Sequence, residues 1–408
     1  MIGMRILHVI GSLAPRYGGP SRDCAELCRE LAKQGVRVSI YTTNIDGSGH
    51  LDFPIDRPVW RDGVECRYFP VQRPRSIVFS FPLAMALRSA IPRFDLVHIH
   101  SLYLFPSTVA AYYSRRYGVP YVVKPHGSLD PYLFRRHRGR KWIYEQLFEW
   151  RNLNRAAAIH FTTVEERDLT RPLHLKAPSL VVPVGLDLRE FDTAPPYGAF
   201  RAAYPHTQGK KILLFLGRLN FKKGLDLLIE AYSEIARQRD DVHLMLVGPD
   251  DDGYGERIRR WLRTQGVLGR ATFTGMLSGP ERLAAFRDAD VFVLPSYTEN
   301  FGIAVVEAMA SRVPVVISNK VNIWHTVAEA EAGLVVDCNA RQLRQALLML
   351  IDDPVLRNEI GARGRRLVED MFTAKAVAER MIHGYRQVLS CQGAIRTKGA
   401  RGANERRA

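Results

Sequence analysis

Leu294–Ala310, with the sequence LPSYTENFGIAVVEAMA, predicts a strand end, a polar loop and the start of a helix in direct succession. The preceding apolar run, Asp290–Leu294, predicts a buried strand. Residues 297–302 predict a polar loop that closes on a glycine, and residues 303–310 predict a short apolar helix. The first N–H groups of such a helix are unpaired and carry about half a positive charge, so this stretch predicts an anion-binding site.

Two carboxylates frame this site. Glu299 lies in the predicted loop, and Glu307 lies in the predicted helix among apolar residues. A carboxylate in such a helix must find a partner or face a cavity. Two interpretations stay open: a pair of ligand-binding groups, or a helix cap followed by a satisfied core glutamate.

The alternation of predicted strands and helices extends to both sides of this stretch. Arg5–Ile10, Pro20–Gln34 and Val36–Tyr41 predict a strand, an amphipathic helix and a second strand, and Ile212–Leu216 begins a second such series. We therefore expect an α/β fold with two Rossmann-like, doubly wound domains, which also suits a chain of 408 residues.

The domain boundaries follow from the linker that Pro195-Pro196 marks. We expect an N-terminal domain over residues 1–185 and a C-terminal domain over residues 186–372. A C-terminal helix at about 373–390 is expected to cross back to the first domain. The basic residues 391–408 show no periodicity, and we expect them to be disordered.

Basic and glycine-rich positions follow several predicted strands. Arg218 follows the first strand of the second domain, and Lys223 precedes its next helix. Both cations suit phosphate oxygens, and an exposed basic loop is the alternative interpretation. Gly18-Gly19 and His126 follow strands of the first domain, where parallel sheets bind ligands. The first loop lacks G-x-G-x-x-G, which argues against a nicotinamide enzyme.

The composition limits the classes of partner that the chain is expected to bind. The formal net charge of +16 and the isoelectric point near 9.8 indicate an anionic partner. Arg135–Lys141 is densely basic and lies among aromatic residues, which suits an anionic membrane surface, a nucleic acid or a solvated helix. Five scattered cysteines indicate reduced thiols, as in the cytoplasm. His98 and His100 share one strand face without carboxylate partners, and we expect no metal site.

Several motifs in order carry a family resemblance. Glu299-x7-Glu307, with Asn-Phe-Gly inside it, resembles the signature of family 4 of the retaining glycosyltransferases, which have the two-domain GT-B architecture. The supporting motifs, across about residues 4–390, are Gly18-Gly19, residues 97–100, His126-Gly127, Gly217-Arg218 and Lys222-Lys223-Gly224. The chain departs from the family at Val184, where members often carry an asparagine.

The resemblance implies two domains that face each other across a cleft, the first on the acceptor side and the second on the nucleotide-sugar donor side. It implies that Arg218 and Lys223 neutralise the donor diphosphate at the helix start formed by Gly302 and Ile303. It further implies that Glu307 holds the ribose hydroxyls.

The remaining implied roles concern the sugar. Glu299 and His126 are expected beside the transferred sugar, and Gly19 beside the phosphates.

The implied reaction is transfer of a sugar, with retention, from a UDP- or GDP-sugar to a glycan or polyprenyl-linked acceptor in cell-surface polysaccharide biosynthesis. Neither a metal nor a cofactor is expected. We expect a cytoplasmic enzyme with peripheral contact to the anionic inner face of the plasma membrane, and no nucleic-acid partner. Two alternatives remain open: a sugar-nucleotide 2-epimerase of the same architecture, which a product assay distinguishes, and a nucleic-acid-binding protein, which the charge alone suggests.

Overall fold

The computed structural model describes residues 3–55, 57–130, 149–250 and 253–405, with side chains described up to residue 391. The chain divides into two compact units. The first comprises Met1–Gly185 with Ala374–Ala408, and the second comprises Leu186–Thr373. Each unit contains a mostly parallel sheet with helices, and the predicted pair of α/β domains is confirmed.

The regular elements of the described residues are numbered in chain order. The strands are β1 Arg5–Ser12, β2 Arg37–Thr43, β3 Ile45–Asp46, β4 Gly49–His50, β5 Val59–Arg61, β6 Val64–Phe69, β7 Leu96–His100, β8 Tyr121–Lys124, β9 Ala158–Phe161, β10 Ser179–Val181, β11 Lys211–Leu216, β12 Val242–Val247, β13 Ala271–Gly275, β14 Val291–Leu294, β15 Val315–Ser318 and β16 Gly333–Val336. The helices are α1 Gly19–Lys33, α2 Phe81–Ala90, α3 Phe105–Tyr117, α4 Trp150–Asn154, α5 Val164–Leu169, α6 Leu188–Asp192, α7 Ala199–Ala203, α8 Leu225–Gln238, α9 Tyr254–Thr264, α10 Gly279–Asp288, α11 Ile303–Ala310, α12 Trp324–Glu329, α13 Ala340–Asp352, α14 Pro354–Met371 and α15 Ala374–Glu405.

The first unit is built on a sheet of order β10-β9-β8-β7-β1-β2-β6-β5, in which only the edge strand β5 runs antiparallel. Its central strands are buried along almost their whole length, as expected for a parallel sheet that is covered on both faces. Helix α1 buries Cys24, Leu27, Cys28 and Leu31 at helical spacing, which fixes it against the sheet.

Helix α15 belongs to the first unit, although it is the last element of the chain. Val377, Met381 and Tyr385 are buried in the same core as the apolar face of α1. The helical backbone continues to Glu405, whereas the sequence analysis expects residues 391–408 to be disordered. Residues 391–405 contain three glycines, which disfavour a helix, beside alanine, arginine and lysine residues, which favour one.

The second unit is built on a parallel sheet of order β13-β12-β11-β14-β15-β16. Strands β12, β14 and β15 are buried at every position. The predicted strand before the loop is β14, and the predicted short helix is α11.

The basic stretch Arg135–Lys141 lies outside the described residues. Within the residues that the structure describes, none of the helices is both long enough and apolar enough to span a membrane.

Candidate functional site

In the sheet of the second unit, the order in which successive strands are added reverses between β11 and β14. Strands β12 and β13 extend it on one side of β11, whereas β14, β15 and β16 extend it on the other. The loops that leave the carboxyl ends of β11 and β14 therefore meet at a topological switch point. Open parallel sheets bind their ligands at such points.

The loop after β11 carries the predicted cations Arg218 and Lys223. Asn220 starts the 3₁₀ turn Phe221–Lys223, because its side chain accepts a hydrogen bond from the Lys222 N–H at 3.1 Å. Gly224 follows with a φ of +62°, and a Cβ at this position would overlap the carbonyl oxygen of Pro295. This glycine lets the loop after β11 approach the loop after β14 closely.

Backbone hydrogen bonds fix the loop after β14. The Tyr297 N–H donates to the carbonyl oxygen of Lys222 at 2.7 Å. The Glu299 N–H donates to the carbonyl oxygen of Lys320, and the Asn322 N–H donates to that of Glu299, each at 3.0 Å. The loop that carries Glu299 is therefore held from both sides.

Three predicted charged residues lie in these two loops. The Lys223 Nζ forms an ion pair with the Glu299 Oε2, and their side chains are 22% and 18% exposed. Arg218 is exposed, and among the described residues none forms a hydrogen bond or ion pair with its guanidinium group. Arg218 therefore pairs with none of the described residues, whereas Lys223 is paired with a carboxylate.

The helix start adds backbone donors. Gly302, in a left-handed conformation with a φ of +77°, directly precedes α11 and has no side chain that could cap it. Ile303 and Ala304 provide the first N–H groups of α11, which an intrahelical acceptor cannot reach. An anion beside these groups would be stabilised by the helix dipole as well.

Glu307 is buried, with 2% of its surface exposed. The sequence predicts that it needs a partner, and the structure supplies Arg282 of α10, whose Nη1 pairs with the Glu307 Oε1. The Arg282 Nη2 lies 3.5 Å from an Oε2 of Glu190 as well. Sequence reasoning missed Arg282, because nothing in its helix marks an arginine that reaches a different helix.

His126 is a predicted site residue of the first unit. It follows β8 with a φ of +51°, which is uncommon outside glycine. The next N–H, from Gly127, donates to Glu166 at 3.1 Å. Glu166 also accepts from the N–H and the hydroxyl of Thr162, at 2.6 and 2.8 Å, and burial raises the pKa of this carboxyl group. These hydrogen bonds hold the turn that carries His126.

Gly19 begins α1 at an exposed turn after β1, at the same edge of the sheet as His126. One helical turn later, Asp23 accepts a hydrogen bond from the Lys124 Nζ at 2.6 Å, with side chains only 7% and 1% exposed. The His126 Nδ1 lies 4.0 Å from the same oxygen of Asp23. A buried ion pair therefore lies beneath the predicted sugar-side histidine.

A continuous series of side chains runs from His126 into the core of the first unit. We call it the imidazole chain, and its members in order are His126, His100, His8, Tyr385, His98 and His160. The successive contacts are His126 Nε2 to His100 Nδ1 at 3.1 Å, His100 Nε2 to His8 Nδ1 at 3.0 Å, His8 Nε2 to the Tyr385 hydroxyl at 3.4 Å, that hydroxyl to His98 Nδ1 at 2.7 Å, His98 Nε2 to His160 Nδ1 at 3.3 Å, and His160 Nε2 to the Val182 carbonyl oxygen at 2.8 Å.

The sheet brings these rings together. His8 and His98 are register partners on β1 and β7, and His100 lies on the same face of β7 as His98. His160 comes from β9, and Tyr385 comes from α15. Burial lowers the pKa of all five histidines, that of His8 to about 3, so the rings are neutral at physiological pH.

Metal binding has candidates in the first unit. Among the described residues, His8, His98 and His100 offer nitrogen atoms within 4.8 Å of one another, and Asp23 with His100 and His126 does likewise. These atoms are engaged in the imidazole chain and in the Lys124–Asp23 pair. A third group consists of His8 with Cys24 and Cys28, whose ligand atoms lie within the same distance of one another.

Comparison with known families gives two matches that together cover most of the chain. Residues 198–367 match the family described as "Glycosyl transferases group 1". Residues 18–185 match the family described as "Glycosyl transferase 4-like domain". Each match falls within one of the two structural units.

Individual relatives agree with these matches. A D-inositol 3-phosphate glycosyltransferase from Kineococcus radiotolerans is 27% identical over 415 residues, which span 93% of this chain and 92% of that protein. A GDP-mannose-dependent monoacylated alpha-(1-6)-phosphatidylinositol monomannoside mannosyltransferase from Corynebacterium glutamicum is 31% identical over 209 residues, which span 49% of this chain and 54% of that protein.

Among solved structures, Anabaena HepE in complex with UDP and glucose superposes with a TM-score of 0.75. The similarity covers 94% of this chain and all of that one, with 17% sequence identity. At this identity the likeness shows that the two proteins share a fold.

Proposed function

The chain belongs to the glycosyltransferases of the family 4 type with the GT-B fold, and we propose that it transfers a sugar from a UDP- or GDP-sugar to a glycan or lipid-linked acceptor with retention of configuration. Family membership makes the chain a transferase, which disfavours the epimerase and nucleic-acid alternatives. The observation that carries the proposal is the charged site at the switch point, where Arg218, the Lys223–Glu299 pair and the start of α11 adjoin.

The diphosphate of the donor binds at this switch point. Arg218 offers a planar fork to its oxygens, and Lys223 exchanges its carboxylate partner for phosphate. The first N–H groups of α11 donate to the same anion. Each charge-assisted hydrogen bond contributes about 1.5–3 kcal/mol. These cations thus supply the charge that stabilises the departing diphosphate.

The exchange at Lys223 also frees Glu299. Its carboxylate, no longer paired, accepts hydrogen bonds from hydroxyl groups of the transferred sugar. The pair with Lys223 and the backbone hydrogen bonds of both loops hold Glu299 in position for this contact.

The ribose of the donor binds Glu307. A carboxylate only accepts hydrogen bonds, which suits the two ribose hydroxyls. Arg282 orients this carboxylate and offsets its burial. Arg282 is therefore a positioning residue for the nucleotide.

His126 and Gly19 serve the sugar and the phosphates from the first unit. In a retaining transfer, the bond between the anomeric carbon and the diphosphate oxygen breaks on the face on which the acceptor oxygen bonds. The leaving phosphate oxygen takes the proton from the acceptor hydroxyl, so the reaction balances without a separate base. Exclusion of water from the site limits hydrolysis of the donor.

The substrates of the similar proteins support these substrate classes. The similar proteins include a GDP-mannose-dependent mannosyltransferase of a monoacylated phosphatidylinositol monomannoside, a D-inositol 3-phosphate glycosyltransferase, and a protein bound to UDP and glucose. We propose a role in cell-surface glycan or polysaccharide synthesis on this basis.

Titration calorimetry with UDP and GDP tests the donor site. We expect one of the two nucleotides to bind at micromolar Kd. Glu307→Ala should weaken its binding by about 1.5–3 kcal/mol, or roughly 10- to 150-fold, because the ribose loses a charged acceptor. Glu281→Ala, which removes an exposed carboxylate from the same helix as Arg282, should leave the affinity unchanged. Equal binding by the folded Glu307→Ala variant would contradict the donor site.

We also propose that the enzyme acts in the cytoplasm, at the inner face of the plasma membrane. The net charge of +16 and the basic stretch Arg135–Lys141 support this. The stretch lies outside the described residues.

Sedimentation with phosphatidylglycerol vesicles tests the membrane contact. Replacing Arg135, Arg136, Arg138 and Arg140 by serine should abolish binding, since each basic residue near an anionic surface contributes about 1 kcal/mol. The control with the same net charge replaces the exposed residues Arg93, Arg116, Arg260 and Arg263 by serine and should still bind. Unchanged vesicle binding by the first variant would contradict the proposed membrane contact.

A further inference from the structure

We infer that the carbonyl oxygen of Val182 fixes the tautomer of every histidine in the imidazole chain, and so leaves the His126 Nδ1 as a hydrogen-bond acceptor for a hydroxyl of the donor sugar. The part about the sugar rests on the proposed function. The part about the tautomers concerns the protein alone and is tested without any substrate.

The assignment starts at the inner end of the chain. A carbonyl oxygen only accepts, so the His160 Nε2, 2.8 Å from the oxygen of Val182, must carry the proton and donate it. A neutral imidazole has one N–H, which leaves the His160 Nδ1 as an acceptor. The His98 Nε2, 3.3 Å away, therefore donates to it.

The same rule fixes the directions of the two hydrogen bonds at Tyr385. With its proton on Nε2, His98 presents a bare Nδ1, and the Tyr385 hydroxyl donates to it at 2.7 Å. The hydroxyl oxygen then accepts from the His8 Nε2 at 3.4 Å. The hydroxyl is the one member of the chain that both donates and accepts through a single atom.

The outer part of the chain follows in turn. His8, with its proton on Nε2, accepts at Nδ1 from the His100 Nε2 at 3.0 Å. His100 then accepts at Nδ1 from the His126 Nε2 at 3.1 Å. All five histidines therefore carry the proton on Nε2, and the Nδ1 of His126 is bare.

Reversal of any single link is unfavourable. It would set two N–H groups or two lone pairs against each other at a buried site, and an unsatisfied buried polar group costs about 1–3 kcal/mol. His8, His98, His100 and His160 are fully buried, so water does not relieve such a mismatch. Protonation does not relieve it either, because burial lowers the pKa of these rings.

The tautomer assignment has its consequence at His126, the outer end of the imidazole chain. His126 is the member with partial exposure, at 10% of its side chain. Its Nδ1 lies 4.0 Å from Asp23, beyond hydrogen-bonding distance, and that carboxylate oxygen is bound by Lys124. A bare Nδ1 accepts from a sugar hydroxyl and repels a phosphate oxygen. His100, His8, Tyr385, His98 and His160 are then positioning residues that act through His126.

Tyr385→Phe tests the chain at its weakest point. Without the hydroxyl, a proton on the His8 Nε2 has no acceptor. The outer three histidines should therefore invert together, with His8 donating from Nδ1 to His100, His100 donating from Nδ1 to His126, and the His126 Nδ1–H turned towards Asp23. His98 and His160 should keep their tautomers, because Val182 still holds them.

The readout is the imidazole ¹⁵N NMR spectrum of the full chain with ¹⁵N-labelled histidine and no ligand. The wild type should show Nε2–H tautomers for all five histidines, and Tyr385→Phe should convert His8, His100 and His126. Tyr68→Phe is the matched control, because it removes a buried hydroxyl that has no hydrogen-bond partner among the described residues. Any Nδ1–H tautomer in the wild-type chain overturns the inference, whether or not Tyr385→Phe folds.

Donor kinetics separate this inference from the proposed function. With UDP-glucose and GDP-mannose as probes, Tyr385→Phe should raise the KM of the donor that is used, or lower kcat, by about tenfold, which corresponds to one lost hydrogen bond. The Kd of the free nucleotide should not change. Converted tautomers with unchanged kinetics would overturn the role of His126 at the sugar, whereas absence of turnover by the wild type with any donor would count against the proposed function alone.

Discussion

Replacing Lys223 by alanine is expected to lower kcat for sugar transfer by about 10³-fold, the upper range for loss of one preorganised charge at a transition state. Negative charge develops on the diphosphate as the glycosidic bond breaks, and Lys223 is fixed next to it by the 3₁₀ turn and by Gly224. Arg218 remains in this variant and keeps its own contact with the diphosphate, but the charge that Lys223 supplies is lost. The measurement is single-turnover transfer from the nucleotide sugar that the calorimetry identifies.

Two controls make this expectation specific. Lys210→Ala removes a lysine at the amino end of β11, away from the switch point, and should leave kcat within about twofold, since surface charges far from the site are screened. Lys223→Ala also leaves Glu299 without its cation, so the unfolding transition of the second unit must be followed as well. A Lys223→Ala variant that folds and retains wild-type kcat would show that the pair with Glu299 is structural.

The switch-point site could be predicted because its signals are local. Each charged residue lies within a few positions of a strand end or a helix start, and apolar periodicity locates those ends from the sequence. The pairing of Lys223 with Glu299 needs one further step, the adjacency of β11 and β14, which a doubly wound sheet supplies.

The partner of Glu307 and the imidazole chain could not be predicted in this way. Arg282 reaches Glu307 from another helix, and Tyr385 reaches His8 across most of the length of the chain. Such contacts depend on which helix covers which face of a sheet, and the hydrophobic pattern of one helix does not specify its partner. The sequence showed that a buried carboxylate needed a counter-charge, but only the packing identified it.

Removing one member of the buried pair between Asp23 and Lys124 is expected to be among the most destabilising single changes in the first unit. Asp23→Ala leaves a lysine that is 1% exposed without its counter-charge, and such loss costs about 3–5 kcal/mol. Amide hydrogen exchange of β1 and β8 is the suitable measurement, because it reports on this unit even when the other unfolds separately.

A second variant on the same helix shows how much of the loss is due to the burial of the pair. Glu30→Ala in α1 breaks the surface pair with Lys33, whose side chain is 41% exposed, and should cost less than about 0.5 kcal/mol. If both variants lose the same stability, the Asp23–Lys124 pair behaves as a surface pair. The lysine left by Asp23→Ala would then not be a costly buried charge.

The double variant Asp23→Leu with Lys124→Met decides what the pair is for. Apolar residues of similar size often replace a buried ion pair at little cost, so most of the stability lost in Asp23→Ala should return. Sugar transfer should not return with it, because the carboxylate and ammonium that lie beside His126 are gone. If stability returns without activity, the pair serves the site. If both return, the pair serves packing alone. If stability does not return, Asp23 and Lys124 hold the turn after β8 through geometry that apolar side chains cannot reproduce.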